Sequence, residues 1–207
     1  MVKTILEFPH CRIILAEINE SAEELMQLLE NFSVYEKEFS QINASKRKKE
    51  FLSVRVLVNI LLQKNVIVSY NNVHKPYLLS SDFNISISHS GNYMAVITSR
   101  EGQTGIDIER RTGRVSNVKE RYLDSKELSF MAEIEGDTRA LEIAWSAKEA
   151  LFKLIGKEAY DFKTIKIRDF VPENEGIIEA EFEPTNQHYQ LHYLQNQDFT
   201  LVYCVSN

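Results

Sequence analysis

Cysteine and proline are scarce in this 207-residue chain, with two of the former and four of the latter, and glycine is held to seven. So little Gly and Pro excludes a collagen-like, low-complexity or linker-dominated protein. Cys11 and Cys204 stand near opposite ends of the chain. Two thiols cannot build a cysteine framework. In an acidic, helix-rich chain they read as reduced, although a single Cys11–Cys204 disulfide stays open at this point. No apolar run approaches the roughly 18 residues that a membrane-spanning helix needs. In the opening segment Glu7 breaks the apolar run, so it does not read as a signal peptide. Positive charge is also short, with 24 Lys and Arg against 30 Asp and Glu and a net charge of −6. No global field therefore draws the chain to nucleic acid or to an anionic membrane. The expectation from these absences is a cytoplasmic globular protein.

What is present is enough apolar material, 43% of residues, for a sizeable core. The length suits one generous domain or two small halves. Met1–Ala16 reads as one or two strands. Ser21 with Glu24 is a capping-box signature ahead of Leu25, Leu28 and Leu29. A helix is expected over about 45–64, with Phe51, Val54, Leu57, Val58, Leu61 and Leu62 on one stripe behind the basic opening Lys46–Lys49. From Asn84 the period changes to two. Three successive segments, ending at Asp107–Glu109, suggest an antiparallel meander. Arg110–Val118 reads as a mobile connection, and Ser125 as a helix start. A long helix is expected over about 138–155, stopped by Gly156, with closing strands beyond Lys163. Each half thus reads as strands, helices, then strands. The expected fold is α+β, with two similar pseudo-symmetric subdomains, 1–100 and 101–207, and an active site in the cleft between them.

Three local patterns carry chemistry. Asp107 and Glu109 lie two apart in an expected strand, so both carboxylates project from one face. Two such anions repel unless a cation joins them. A hard divalent ion such as Mg²⁺ suits their oxygens, although Arg110, Arg111 or Lys148 would also serve as partners. In Trp145-Ser146-Ala147-Lys148-Glu149-Ala150-Leu151-Phe152-Lys153, helical spacing sets Trp145, Glu149 and Lys153 on neighbouring turns, with Lys148 beside them. Glu149 and Lys153 also fit an ordinary surface pair. Finally, Asn84-Ile85-Ser86-Ile87-Ser88-His89-Ser90 ends a serine-laced strand on a histidine, with Lys75-Pro76 upstream. A lone His is more often structural than a ligand.

The order Lys75-Pro76-Tyr77-Leu78, Asn84 to His89, Gly105-Ile106-Asp107-Ile108-Glu109 and Trp145 to Lys153 resembles the 4′-phosphopantetheinyl transferase superfamily. The length resembles its larger, surfactin-synthetase-activating type. The resemblance implies that Asp107 and Glu149 hold Mg²⁺ with Glu109 as third acid, and that Glu149, Lys153 and Asp107 carry catalysis. It implies that coenzyme A is the co-substrate, met by Ser88, His89, Lys75, Pro76, Lys148 and Lys153. Among the basic residues of the second helix, Arg47 is the candidate for the 3′-phosphate, with Lys48, Lys49 and Arg55 left open. The partner implied is an apo acyl or peptidyl carrier protein. Arg110, Arg111 and Arg114, in a locally positive segment, are docking candidates, although the same segment reads equally as an ordinary exposed loop. A monomer is expected. Two competing readings are a Mg²⁺-dependent pyrophosphate hydrolase and a non-catalytic scaffold.

Overall fold

The computed structural model describes residues 1–134, 138–156 and 161–206, the side chain of Val2 excepted. The chain divides into two compact units, Met1–Arg100 and Glu101–Asn207. Both are mixed α+β, with antiparallel sheets packed against helices.

In the first unit, β1 (Val2–Glu7) and β2 (Arg12–Glu17) pair antiparallel. α1 (Ala22–Gln27) follows, and its Ser21–Glu24 capping box is formed. A short 3₁₀ turn leads into α2 (Glu36–Ser40), and then α3 runs from Ser45 to Leu62. The hairpin β3 (Ile67–Tyr70) and β4 (Pro76–Leu79) comes next. Its turn is held by Asn71, whose side-chain oxygen accepts from the backbone N–H groups of Val73 and Lys75, an arrangement Asn is suited to. β5 (Asn84–Ser90) and β6 (Tyr93–Ser99) complete a sheet ordered β1-β2-β6-β5.

α3 is buried on more than the expected stripe. Leu52, Val54, Leu57, Val58 and Leu61 enter the core, but Ser53, Arg55 and Val56 are buried as well. Ser53 donates back to the Lys49 carbonyl, Val56 joins the apolar core, and the Arg55 guanidinium lies 3.2 Å from the Phe51 ring centroid and 4.4 Å from that of Tyr35. It pairs with Glu38 at 3.3 Å, so a polar side chain caps an apolar layer by stacking.

In the second unit β7 (Thr104–Arg110) leads through a 3₁₀ turn at Arg114–Val118 to α4 (Lys119–Tyr122) and α5 (Ser125–Glu133). The stretch expected as a loose connection is therefore largely wound. α5 is capped by Asp124, one residue before the expected start, in a capping box with Glu127. α6 spans Thr138–Ile155, and Gly156 follows it at φ 82°. Strands β8 (Ile165–Ile167), β9 (Glu175–Phe182), β10 (Gln187–Gln195) and β11 (Phe199–Val205) close a sheet ordered β7-β11-β10-β9-β8. The expected three-strand meander is corrected here. β6 pairs with β2 and β5, whereas β7 pairs with β11. Alternation reveals strands but not their partners, which are chosen by long-range packing.

Candidate active site

Register fixes the chemistry of β7. Gly105, Asp107 and Glu109 lie opposite Cys204, Val202 and Thr200 of β11. Val202 and Cys204 belong to the core formed with α6, so this face of β7 looks onto that helix. Gly105 permits the close approach. A Cβ built there would fall 2.0 Å from the Ala150 carbonyl oxygen of α6. Helix and strand backbones thus touch one residue from Glu149.

Two residues along β7, Lys153 of α6 reaches down. Its Nζ donates to Asp107 Oδ1 at 2.7 Å and to the Ile106 carbonyl at 3.0 Å. Asp107 is 3% exposed. Glu149 stands a helical turn before Lys153. Burial, then the charge of Asp107, pushes its carboxyl up to about 7, with Glu109 adding to the push and Lys153 opposing it. Two acids of the strand and one of the helix therefore feel one another, as like charges do across a short gap.

The donor set of Asp107, Glu109 and Glu149 is all carboxylate oxygen, which fits a hard divalent cation, and its mutual repulsion is what such a cation relieves. Among the described residues, however, no three His, Cys, Asp or Glu side chains are gathered closely enough to hold a metal. Asp107 is engaged by the Lys153 ammonium instead.

Lys148 does not join this group. It is fully buried and lies one 100° step round the helix from Glu149. Its Nζ donates to Glu127 Oε2 at 2.8 Å, the Tyr122 carbonyl at 2.8 Å and the Phe162 carbonyl at 3.2 Å. All three ammonium protons are committed, which corrects its expected place at the coenzyme. Trp145 likewise packs, edge-on to Tyr122 at 5.1 Å and 5.6 Å from Phe162.

Arg111 is also tied down. Its Nε donates to Glu142 Oε2 at 2.9 Å and its Nη1 to the Asn196 carbonyl at 3.2 Å. Glu142 is 3% exposed. Arg111 thus braces the end of β7 against α6, which corrects its expected role as a docking residue, whereas Arg110 and Arg114 are exposed. Arg111→Ala leaves Glu142 buried with a cation removed. It is expected to cost about 1–3 kcal/mol, while Arg114→Ala should stay within about 0.5 kcal/mol. Urea titration of both variants checks the contrast.

The other candidates belong to the first unit. His89, at the end of β5, is exposed, with Nδ1 3.6 Å from Glu50 Oε1; Lys46 Nζ lies 3.7 Å from the same oxygen. Ser88 beside it is buried. Lys75 is partly buried, and its ammonium is pushed down by burial. Pro76 opens β4. Arg47 is exposed in the first turn of α3, which has no side-chain cap and no acid in that turn. Arg55, stacked and 1% exposed, is in no position to meet a phosphate.

Glu50, Glu127, Glu142 and the packing role of Gly105 were not assigned from sequence. Glu127 alone had a signal, at the third position behind the Asp124 cap.

Residues 103–204, the stretch that contains β7 and α6, match the family model of the 4′-phosphopantetheinyl transferase superfamily. A protein of Synechocystis sp. that carries the provisional name 4′-phosphopantetheinyl transferase is 28% identical over 124 residues, covering 53% of this chain. The match spans half the length of that relative. Through its second unit, the chain is similar to the 4′-phosphopantetheinyl transferase superfamily.

Proposed function

We propose that this chain transfers the 4′-phosphopantetheine group from coenzyme A to a serine of an apo acyl or peptidyl carrier protein, releasing 3′,5′-ADP. The observation that carries this reading is the Lys153–Asp107 pair joining α6 to β7, with Glu149 pushed up by the charges of Asp107 and Glu109, inside the stretch that matches the family. In this reading the serine oxygen forms a new bond to the phosphorus on the pantetheine side. The bond from that phosphorus to the oxygen bridging it to the adenosine-side phosphate breaks, and 3′,5′-ADP leaves with the electron pair. The serine proton passes to Glu149, directly or through a water, with Glu109 as second acceptor. A carboxylate that also holds a cation is a weak base, which favours the route through a water. Lys153 supplies positive charge beside the phosphate. Asp107, Glu109 and Glu149 would hold Mg²⁺, which when bound would neutralise charge on the leaving 5′-phosphate. No covalent enzyme nucleophile is required, because positioning and electrostatics dominate such transfers.

Ser88, His89, Lys75, Pro76 and Arg47 would serve the coenzyme's nucleotide end. The length fits the larger, surfactin-synthetase-activating type acting as a cytoplasmic monomer. No helix among the described residues is long and apolar enough to cross a membrane. Arg110 and Arg114, with Lys119 and Arg121, give an exposed basic segment after β7 suited to an acidic carrier. Arg110→Glu with Arg114→Glu is expected to raise the carrier KM about tenfold and leave the coenzyme A KM unchanged; parallel rises in both would remove the docking role.

The reading is tested by following 3′,5′-ADP release with Mg²⁺ and coenzyme A, with and without several apo carriers. Release that depends on a carrier is expected. Equal release without one would point to a pyrophosphate hydrolase, and none under any condition to a scaffold.

A further inference from the structure

One ion pair in the second unit lies wholly inside the core. Lys148 is 0% and Glu127 4% exposed. Each is saturated by partners from different segments. Lys148 holds the Tyr122 carbonyl at the end of α4, the Phe162 carbonyl before β8, and Glu127 of α5. Glu127 Oε2 also accepts from the Asp124 N–H at 2.8 Å, and its Oε1 accepts from the Ile167 N–H of β8 at 2.9 Å. Three segments thus meet on one atom of α6, and Glu127 ties β8 to them.

Stability is a poor reason for this arrangement. Burying two charges consumes most of their attraction, and apolar pairs of like volume often do as well or better. What a three-point contact gives and an apolar contact does not is a single register. Fixing Nζ of residue 148 fixes α6 along and about its axis, and so fixes where residue 149, about 100° further round, must face. Lys153 cannot serve this purpose in the proposed reaction, because its partner Asp107 would there hold the cation while Lys153 itself faces the phosphate. The Lys148–Glu127 pair lies outside that chemistry.

We infer that Glu127 and Lys148 are positioning residues: their buried pair sets the register of α6 that turns Glu149 toward Asp107 and Glu109. This rests on the transferase reading above for its activity readout, though not for its structural one.

The test is the full-length double variant Glu127→Met with Lys148→Met, which keeps volume and removes both charges together. It is expected to melt cooperatively, below wild type because the Tyr122 and Phe162 carbonyls and the Asp124 and Ile167 N–H groups lose their partners, and to bind coenzyme A as before. Its kcat should fall about 100-fold, the size of effect that small misplacements produce. A crystal structure of it should show α6 turned or slid relative to β7. A folded double variant with wild-type kcat and an unmoved α6 overturns the inference. If the double variant does not fold, Glu127→Asp takes its place. It keeps the charge but shortens the reach, and is expected to lower kcat about tenfold with α6 displaced; wild-type kcat and an unmoved helix overturn the inference there as well. A wild type that transfers nothing overturns the transferase reading instead, and the pair is then judged by the position of α6 alone.

Discussion

Replacing Gly105 by alanine is expected to lower stability by about 3 kcal/mol and to abolish the proposed transfer. The added Cβ would meet the Ala150 carbonyl oxygen at 2.0 Å, its carbon at 2.8 Å and Cys204 Sγ at 3.1 Å. The sulfur can shift, but the carbonyl belongs to the backbone of α6, so the helix itself must lift from β7. Lifting it separates Glu149 and Lys153 from Asp107. In thermal melts the loss corresponds to a fall in Tm of roughly 6–12 °C for a chain of this size. Gly113→Ala is the matched control. Nothing lies within 4 Å of a Cβ there, but φ is +67°, so alanine should cost about 1 kcal/mol through backbone strain alone and leave transfer intact. Equal losses of activity in the two variants would show that the close approach at Gly105 is not what assembles the site.

The second large effect is electrostatic. Glu149 is held near 7, above the ordinary 4.5 of a glutamate, first by burial and then by Asp107. At pH below about 4.5 both folded and unfolded chains carry the proton, and Glu149 contributes nothing. Between about 4.5 and 7 the folded chain keeps a proton that the unfolded chain has released, so stability falls as pH rises. Above 7 the penalty is complete, with a ceiling of about 3 kcal/mol at 1.36 kcal/mol per pH unit. Glu149→Gln is therefore expected to be more stable than wild type at pH 8 by up to about 3 kcal/mol, and equally stable at pH 4. On the proposed reading Mg²⁺ should stabilise wild type at pH 8 and have little effect on the variant. Urea titrations at the two pH values, with and without Mg²⁺, measure both. A variant no more stable than wild type at pH 8 would mean that Glu149 is not crowded by its neighbours.

Much of the fold was legible because its signals are local. The Ser21–Glu24 capping box, the 3.6 period of α6 and the alternation of β5 each depend on neighbours within a turn or a strand. The pairing of β7 was not legible. Its partner β11 lies at the far end of the sequence, and nothing in a run of seven residues states which distant strand will cover it. β4 escaped notice because four residues opening on Pro76 look like a turn continued.

Within the site the period of two placed Asp107 and Glu109 on one face, and the helical period placed Glu149 a turn from Lys153. Lys148 and Arg111 were read by charge and proximity in sequence. Each instead answers a buried carboxylate, Glu127 or Glu142, that carries no motif of its own. A cation's partner is decided by which acid the fold buries beside it, and burial is a property of the packed core. The same holds for Arg55, where the stacking of Phe51 and Tyr35 claims a guanidinium that composition alone would offer to a phosphate.

The account rests on the acids of β7 and α6 forming one transfer site, and the mass of an apo carrier protein tests it most directly. The carrier is incubated with coenzyme A and Mg²⁺ and either wild-type chain or Asp107→Asn, whose fold is checked by circular dichroism. Gain of one phosphopantetheinyl group with wild type, and none with the folded variant, is the expected result. A carrier modified equally by both, or by neither despite bound coenzyme A, would contradict it.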